Sequence, residues 1–409
     1  MDYIERKPHT ESGKNQTLTR DINLSLIMRV FMKQAMSKVD ISRYFKLSKP
    51  TSAKIISELE KLDFICPDPS CELDRSLPGV KPLKYRLNSR FGLLAVIDMS
   101  SVETRIQLCD FGGAILCEKK IANKELITYR DILAFCDVLD GIYAEYRAYG
   151  KTLLAVCAAM PCAVNRRNGK IDWSSRFEIE ESFDLNALLA QRYPESKIII
   201  ENDVQLMLSG EIYSGLLADG SISYALLMYV DAGLGGSFYM NGKLESGEDG
   251  KAGDLGFLPF LNRNGEYVYL DSAISINAMK KTIRRELLGG AKSCLANTEK
   301  LHFADILQAY ADRDPLAVRI VEETAHETAQ ALQSIVEILN INFIIVSGRI
   351  TQFGDSYKNV VETDLKKRFP DVRIQYSAIQ DFAIHEGAVF VASDRIIGDV
   401  ISNRTKKIQ

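Results

Sequence analysis

Residues 37–62 read SKVDISRYFKLSKPTSAKIISELEKL and contain two helix starts separated by a short turn. Ser37, followed three residues later by Asp40, is a capping-box pattern that predicts the start of a short helix. Ser48 marks a second start, and Pro50 suits the first turn of the next helix, where its missing N–H costs nothing. The stretch therefore predicts a short helix, a turn and a longer helix.

The residues on either side extend this pattern. Apolar side chains recur at helical spacing over residues 22–36, and the same spacing carries the two capped helices to about Phe45 and about Leu62. Residues 83–87 alternate as a strand does, and with Phe64 and its neighbour they predict a two-stranded wing.

A short helix, a turn, a longer helix and a wing are typical of winged helix-turn-helix domains that bind DNA. The start of the longer helix and the wing carry hydroxyl and cationic side chains that suit base edges and phosphates. The candidate DNA-binding residues are Ser48, Lys49, Thr51, Ser52, Lys54, Lys81 and Lys84. The alternative is a helical hairpin that only packs against the rest of the chain.

The charge distribution favours the DNA-binding interpretation. Residues 1–90 contain 17 Lys and Arg against 11 Asp and Glu, although the whole chain of 409 residues has a net charge of −3. A basic segment attracts phosphates, whereas an acidic remainder does not bind DNA by itself. Chance variation in surface charge is the alternative.

From Phe91 onward, strands alternate with helices, which predicts an α/β body with parallel strands and ligands at the carboxyl ends of those strands. Asp110–Gly113 reads as a hairpin turn. The clearest strand segments and the longest helical stretch are residues 92–99, 153–160, 197–201, 224–230, 342–347 and 303–340.

Within the body, motifs occur in a characteristic order: Pro161–Gly169, Glu201-Asn202-Asp203, Gly233–Gly256, Leu270-Asp271 with Ser275, Val346–Arg349, and Gly387-Ala388. This ordered set resembles the ROK family (repressors, open reading frames and sugar kinases), and within it the repressor branch, similar to xylose and N-acetylglucosamine repressors. The resemblance covers about residues 16–395.

The resemblance implies a winged helix-turn-helix followed by a two-lobed, sugar-kinase-like body of the actin-like ATPase type. The expected domains are residues 16–90 for DNA binding, 91–205 for a small lobe completed by a C-terminal helix at about 385–409, and 206–384 for a large lobe. An effector is expected between the lobes, changing the spacing of two DNA-reading heads.

The resemblance also assigns site residues. Asp203 takes the position of the family's catalytic base, with a turn-capping aspartate as the alternative role. The residues expected to bind a carbohydrate effector are Asn202, Asp203, Asp254 and Asp271. The remnant of the nucleotide loop comprises Gly233, Gly235, Gly236 and Gly348.

Two departures from the family pattern argue against kinase activity. The first phosphate loop, Asp98–Thr104, lacks the two glycines of family kinases and adds the charge of Glu103. Phe257 stands where zinc-binding relatives have His, and residues 258–271 contain no Cys. We therefore expect a sugar-responsive transcription regulator with no enzymatic activity, no cofactor and no metal. An active sugar kinase, or a DNA-binding scaffold with a dead pocket, are the alternatives.

Location and partners follow from the remaining features. No apolar run reaches the roughly 20 residues of a membrane span, and the first 20 residues do not resemble a signal peptide. The eight cysteines lack a CxxC pair, which indicates reduced thiols in a cytoplasm, although Cys66 and Cys71 could pair or bind metal. Expected partners are double-stranded operator DNA, a small carbohydrate and a second copy in a dimer or tetramer, with no membrane.

Overall fold

The chain forms two compact units. The computed structural model describes residues 24, 26–69, 82–100, 103–123, 126–165, 170–171, 176–180, 183–215 and 222–408, with side chains described up to residue 401. The first unit contains the described residues up to Val164, those from Lys170 to Gly215 and those from Ile384 onward, and the second contains Asn165 and residues 222–383. The helix after Asn202, expected in the large lobe, therefore belongs to the first unit.

The N-terminal part of the first unit, which we call the head (residues 24–90), begins with helix α1, which includes residues 26–31. It continues with β1 (Met36–Ser37), α2 (Lys38–Tyr44), α3 (Lys49–Lys61), β2 (Ile65–Pro67) and β3 (Lys84–Leu87). Both predicted caps are confirmed. Ser37 and Asp40 form a reciprocal capping box, and the Ser48 hydroxyl accepts the backbone N–H of Thr51.

The predicted end of the first helix is wrong. The helix expected over residues 22–36 stops before Met36, which with Ser37 forms β1 and pairs antiparallel with Tyr85 and Lys84. The head sheet thus has three strands in the order β1-β3-β2 instead of the two predicted for a wing. Met36 is buried, and its burial alone does not distinguish a helix from a strand.

The rest of the first unit is built on a five-stranded sheet in the order β10-β8-β4-β5-β6. Strands β4, β8 and β10 are parallel, and the predicted turn at Asp110–Gly113 is confirmed as the antiparallel hairpin of β5 and β6. The elements are β4 (Leu93–Asp98), β5 (Glu103–Asp110), β6 (Ile115–Ala122), β7 (Ile127–Thr128), α4 (Tyr129–Arg147), β8 (Leu153–Met160), β9 (Phe177–Glu178), α5 (Leu185–Arg192), β10 (Lys197–Asn202), α6 (Asp203–Ser214) and the C-terminal helix α12 (Ala383–Ile408).

The second unit also has a five-stranded sheet, in the order β13-β12-β11-β16-β17, and a separate hairpin of β14 and β15. The helices of this unit pack against its sheet and form a hydrophobic core with it. Residues 303–340 are helical as predicted, apart from a break before Pro315. The elements are β11 (Tyr224–Val230), β12 (Leu234–Met240), β13 (Lys243–Glu245), β14 (Pro259–Leu261), β15 (Tyr267–Tyr269), α7 (Asp271–Ile274), α8 (Ile276–Leu288), α9 (Phe303–Ala311), α10 (Pro315–Leu339), β16 (Phe343–Ser347), α11 (Gly354–Lys366) and β17 (Arg373–Tyr376).

No helix in the described ranges is long and apolar enough to span a membrane.

Helices α6 and α12 meet backbone to backbone in the first unit. A Cβ atom on Gly387 would overlap the carbonyl oxygen of Leu206 and lie 3.1 Å from the backbone N of Gly210. The absence of a side chain at Gly387 is therefore what lets the two helices approach so closely. Elsewhere on α12, a Cβ atom on Gly398 would meet nothing within 4 Å.

This difference gives a matched pair of variants. Gly387→Ala should lower the free energy of unfolding of the first unit by about 1–3 kcal/mol, because the new methyl group forces the helices apart. Gly398→Ala should leave it unchanged or raise it by up to about 1 kcal/mol, because alanine favours a helix. Denaturant unfolding followed by circular dichroism measures both, and equal effects of the two substitutions would contradict the packing described here.

Candidate functional site

Two buried carboxyl groups and an amide lie along one edge of the first-unit sheet. Asp98 ends β4, Asn202 ends β10 and Asp203 begins α6. In the parallel register, Asp98 is opposite Ala159 and Asn202 is opposite Met160 of β8, the strand between β10 and β4. The carboxyl ends of the three strands thus meet at the same edge, which is where α/β sheets bind ligands.

The loop that follows Asp98 is held by hydrogen bonds of Ser100 within the loop and by Arg176. The backbone N and the hydroxyl of Ser100 donate to Oδ1 of Asp98 at 3.0 and 2.5 Å, and the guanidinium of Arg176 donates to the Ser100 carbonyl at 2.5 Å. Glu103, expected to repel phosphate, pairs instead with Arg105 and Lys120 at 3.3 and 3.6 Å. Arg176 was not singled out from the sequence, because no motif links it to Asp98.

Asp203 is buried, and its Oδ1 accepts the backbone N–H of Val204 at 2.8 Å. The pKa of its carboxyl is raised to about 7, mainly by burial and in part by the nearby carboxyl of Asp98, and the Val204 N–H and Arg176 oppose the shift. Burial raises the pKa of Asp98 as well. The two acids are therefore held at an edge where loss of both protons is costly.

Asn202 has a structural role in this edge. Its side-chain oxygen accepts the N–H of Gln205 at 3.0 Å and caps α6, and its Nδ2 donates to the carbonyl of Cys162 at 3.1 Å. The capping role considered for Asp203 thus belongs to Asn202. The role of Asn202 in ligand binding stays a prediction.

The other two predicted effector residues lie in the second unit. Asp254 is exposed and immediately precedes a 3₁₀ turn at Leu255–Phe257. Asp271 begins α7, is half-buried, and accepts the backbone N–H of Leu234; burial raises the pKa of its carboxyl. A Cβ atom on Gly256 would lie 3.5 Å from that of Asp271, so the 3₁₀ turn packs beside α7.

The glycines assigned to a nucleotide loop have structural roles. The predicted loop over Gly233–Gly236 is wrong in its extent, because Gly235 and Gly236 lie within β12, paired with β11, and Gly233 lies in the preceding turn. A Cβ on Gly236 would lie 2.6 Å from Cδ1 of Leu255, so its absence permits tight packing. Gly348 has a φ of 91°, and a Cβ there would overlap the carbonyl of Val230.

An ion pair occupies the strand ends next to these glycines. Asp231 follows β11 and Arg349 follows β16, the parallel neighbour of β11. The Asp231 carboxylate accepts the Arg349 Nε at 3.0 Å, its Nη2 at 2.5 Å and its backbone N at 3.1 Å. This pair was missed from the sequence, where the two residues are more than a hundred positions apart.

The region expected to lack zinc forms the β14–β15 hairpin. Phe257 is exposed and packs edge-on against Tyr269, with ring centroids 5.8 Å apart. Glu327 of α10 accepts the backbone N–H of Arg263 at the hairpin tip, and Glu323 pairs with the Arg263 guanidinium at 2.5 Å. No three His, Cys, Asp or Glu side chains are grouped as metal ligands within the described ranges.

The predicted DNA-binding residues have different surroundings in the head. Lys49, Thr51 and Lys54 are exposed near the start of α3, and Lys84 is exposed on β3, whereas Lys81 lies outside the described residues. Ser48 uses its hydroxyl to cap α3 and to bond the Thr51 hydroxyl at 2.7 Å.

The assignment of Ser52 is wrong. Its side chain is only 1% exposed and donates to the carbonyl of Lys49 at 3.0 Å, because its position falls on the face of α3 that packs inward with Ile55 and Ile56.

The raised pKa of Asp203 predicts a pH dependence of stability. Between about pH 4 and about pH 7 the folded chain keeps a proton on Asp203 that the unfolded chain has lost, so stability falls as pH rises through this window. Asp203→Asn removes the titrating group. As the pH rises from about 4 to about 7, the thermal midpoint of this variant should therefore fall less than that of the wild type. Asp381→Asn, at an exposed position, is the control and should follow the wild type; a parallel decline in Asp203→Asn would contradict the assignment.

Comparison with known proteins places this geometry among repressors and sugar kinases. A putative xylose repressor from Caldicellulosiruptor sp. (strain Rt8B.4) is 22% identical over 398 residues, covering 93% of this chain and 98% of the relative. A glucokinase from Thermotoga maritima is 24% identical and covers 74% of this chain and 98% of the kinase. The crystal structure of a ROK family transcriptional regulator, a homolog of the E. coli MLC protein, has a TM-score of 0.75 at 21% identity, covering 93% of this chain and 97% of that one, and shows a shared fold.

The family model described as ROK family matches residues 94–395, which is most of the chain. The match includes all but the first residue of the five-stranded sheet that ends at Asp98 and at Asn202, the residue before Asp203. The order of motifs, the sheet topology and this match agree, and the chain belongs to the ROK family.

Proposed function

We propose that this chain is a sugar-responsive transcriptional repressor whose head is a winged helix-turn-helix that binds operator DNA. The observation that carries the proposal is the exposed, cationic start of α3, with Lys49, Thr51 and Lys54 free of the buried face. In helix-turn-helix proteins the start of the second helix contacts base edges in the major groove. We propose that Lys84, which is exposed on β3, contacts phosphate.

The extent of the comparisons supports this proposal. The family match starts at residue 94, after the head, and the glucokinase covers 74% of the chain. The match to the putative xylose repressor covers 93%, which necessarily includes most of the head. The head therefore lies outside the family match but for the most part inside the match to a repressor. This is the distribution expected of a DNA-binding domain that repressors add to the family body.

For the effector, we propose a carbohydrate whose hydroxyl groups bond the acids at the sheet edge of the first unit. Asp203 retains one carboxyl oxygen beyond the bond to Val204, and Asn202 orients the start of α6. Buried acceptors discriminate between sugars, because a ligand that lacks one hydroxyl leaves an acceptor unpaired at about 1–3 kcal/mol. The role of Asp254 and Asp271 in effector binding, which the family resemblance implies, stays a prediction.

We propose further that kinase activity is absent. The Ser100 and Arg176 bonds hold the first loop at Asp98, and the Arg349 guanidinium beside the glycine remnant is paired with Asp231, which competes with a nucleotide phosphate for this cation. No zinc or other cofactor is part of the proposal. A dimer or tetramer in the cytoplasm would present two heads to a palindromic operator.

An active sugar kinase is the second candidate, and one observation favours it. The carboxyl of Asp203 is buried at a strand end with a pKa of about 7, which suits a general base near neutral pH. In a kinase this group would accept the proton of the sugar hydroxyl as the phosphoryl group is transferred. Catalytic turnover distinguishes the two candidates.

The DNA-binding proposal predicts the effect of a double substitution. Thr51→Ala with Lys54→Ala should weaken binding to a duplex selected by the wild-type protein from a random pool by about tenfold or more, and should reduce the salt dependence of binding by about one counterion. Lys61→Ala, at the other end of α3, is the control and should bind within about twofold of the wild type. Fluorescence anisotropy measures both, and an unchanged affinity in the double variant would exclude α3 as the recognition helix.

The effector proposal predicts binding without turnover. D-xylose, D-glucose or N-acetyl-D-glucosamine should raise the thermal midpoint, because a ligand of the folded state stabilises it, and Asp203→Asn should reduce this rise. The same sugars should give no ADP when supplied with ATP and Mg²⁺ in a coupled assay. ADP formation that disappears in Asp203→Asn would establish the kinase instead.

A further inference from the structure

Helix α6 connects the sheet edge that carries Asp203 to the head. Its first residue is Asp203, and near its other end the hydroxyl of Tyr213 donates to the backbone carbonyl of Met32 at 2.6 Å, just after α1. The helix has 12 residues and is therefore roughly 18 Å long. One continuous element thus contacts both the candidate effector site and the head.

Several interactions around Tyr213 hold the end of α6 against the head. Besides the Tyr213 bond, the ammonium of Lys33 bonds the carbonyl of Ile212 at 3.4 Å and lies 5.6 Å from the centre of the Tyr213 ring. The Tyr213 ring stacks on Phe390 of α12 at 5.3 Å, which fixes its orientation. Burial raises the pKa of Tyr213 to about 12, so its hydroxyl remains a donor at neutral pH.

The surroundings of α6 favour movement as a rigid body. All residues from Asp203 to Glu211 are buried, and the backbone at Leu206 touches that of Gly387 in α12. Closely packed helices respond to a change at one end by small shifts of the whole element, since packed cores are not continuously deformable. A displacement of Asp203 would therefore reach Tyr213.

We propose that α6 transmits the state of the Asp203 site to the head, with Tyr213 as the positioning residue that couples the two. The inference rests on the proposed function for its biological meaning, but the coupling itself requires neither a sugar nor DNA. Ligand binding at Asp203 would shift α6 and, through Tyr213, the backbone at Met32. The head would not detach when this bond is lost, because Arg29 also pairs with Asp394 of α12 through two bonds of 2.7 and 3.1 Å.

The test uses amide hydrogen exchange in the full-length protein without sugar or DNA. Asp203→Asn changes the charge at the start of α6, and the exchange rates of the amides in residues 26–32 report on the head. We expect this substitution to change those rates by about fivefold or more, the lower end of typical couplings between sites. In the Tyr213→Phe background, which keeps the ring and loses the hydroxyl, the same substitution should change them by less than about 1.5-fold.

Tyr224→Phe is the matched control, because it removes a hydroxyl that, among the described residues, bonds the Asn241 side chain in the second unit. In the Tyr224→Phe background, Asp203→Asn should change the exchange rates of residues 26–32 by the same factor as it does in the otherwise wild-type protein. Exchange at the amides of α6 itself verifies that the perturbation is present in each protein. An equal response of the head with and without the Tyr213 hydroxyl, or no response at all, would overturn the proposal that α6 couples the two sites. Failure to bind sugar or DNA would overturn the proposed function and leave the coupling through α6 intact.

Discussion

The first unit depends on the backbone contact between α6 and α12, which requires the absence of a side chain at Gly387. Through this contact a helix from the middle of the chain packs against the C-terminal helix, and both then reach the head. Tyr213 of α6 bonds the carbonyl of Met32, and Asp394 of α12 pairs with Arg29. The absence of a side chain at Gly387 thus lets the two helices that contact the head pack directly against each other.

Charge at the sheet edge is balanced within the chain. Asp98 and Asp203 are both buried, and desolvation raises the pKa of each, so that their charged forms are unfavourable without a partner. Arg176 and the N–H and O–H donors of Ser100 and Val204 offset part of this cost. An edge with this balance suits hydroxyl groups, which donate to carboxyl oxygens without adding charge.

The second unit retains family glycines for reasons of packing. Gly236 and Gly348 are required by close backbone approaches within the unit, whether or not a nucleotide binds. The strand ends beside them are occupied by the Asp231–Arg349 pair, whose four hydrogen bonds fix both groups. These glycines therefore serve the packing of the second-unit sheet.

The sequence by itself determined the local elements and their order. The caps at Ser37 and Ser48, the hairpin turn at Asp110–Gly113 and the order of the family motifs all depend on residues close together in the chain, and short-range hydrogen bonding or periodicity suffices to predict them. Only the tertiary structure decided the end of the first helix, the buried position of Ser52, the capping role of Asn202 and the pairing of Asp231 with Arg349. These features depend on strand pairing, helix orientation and contacts between residues distant in sequence, and the energies of such contacts are not contained in the local pattern of residues.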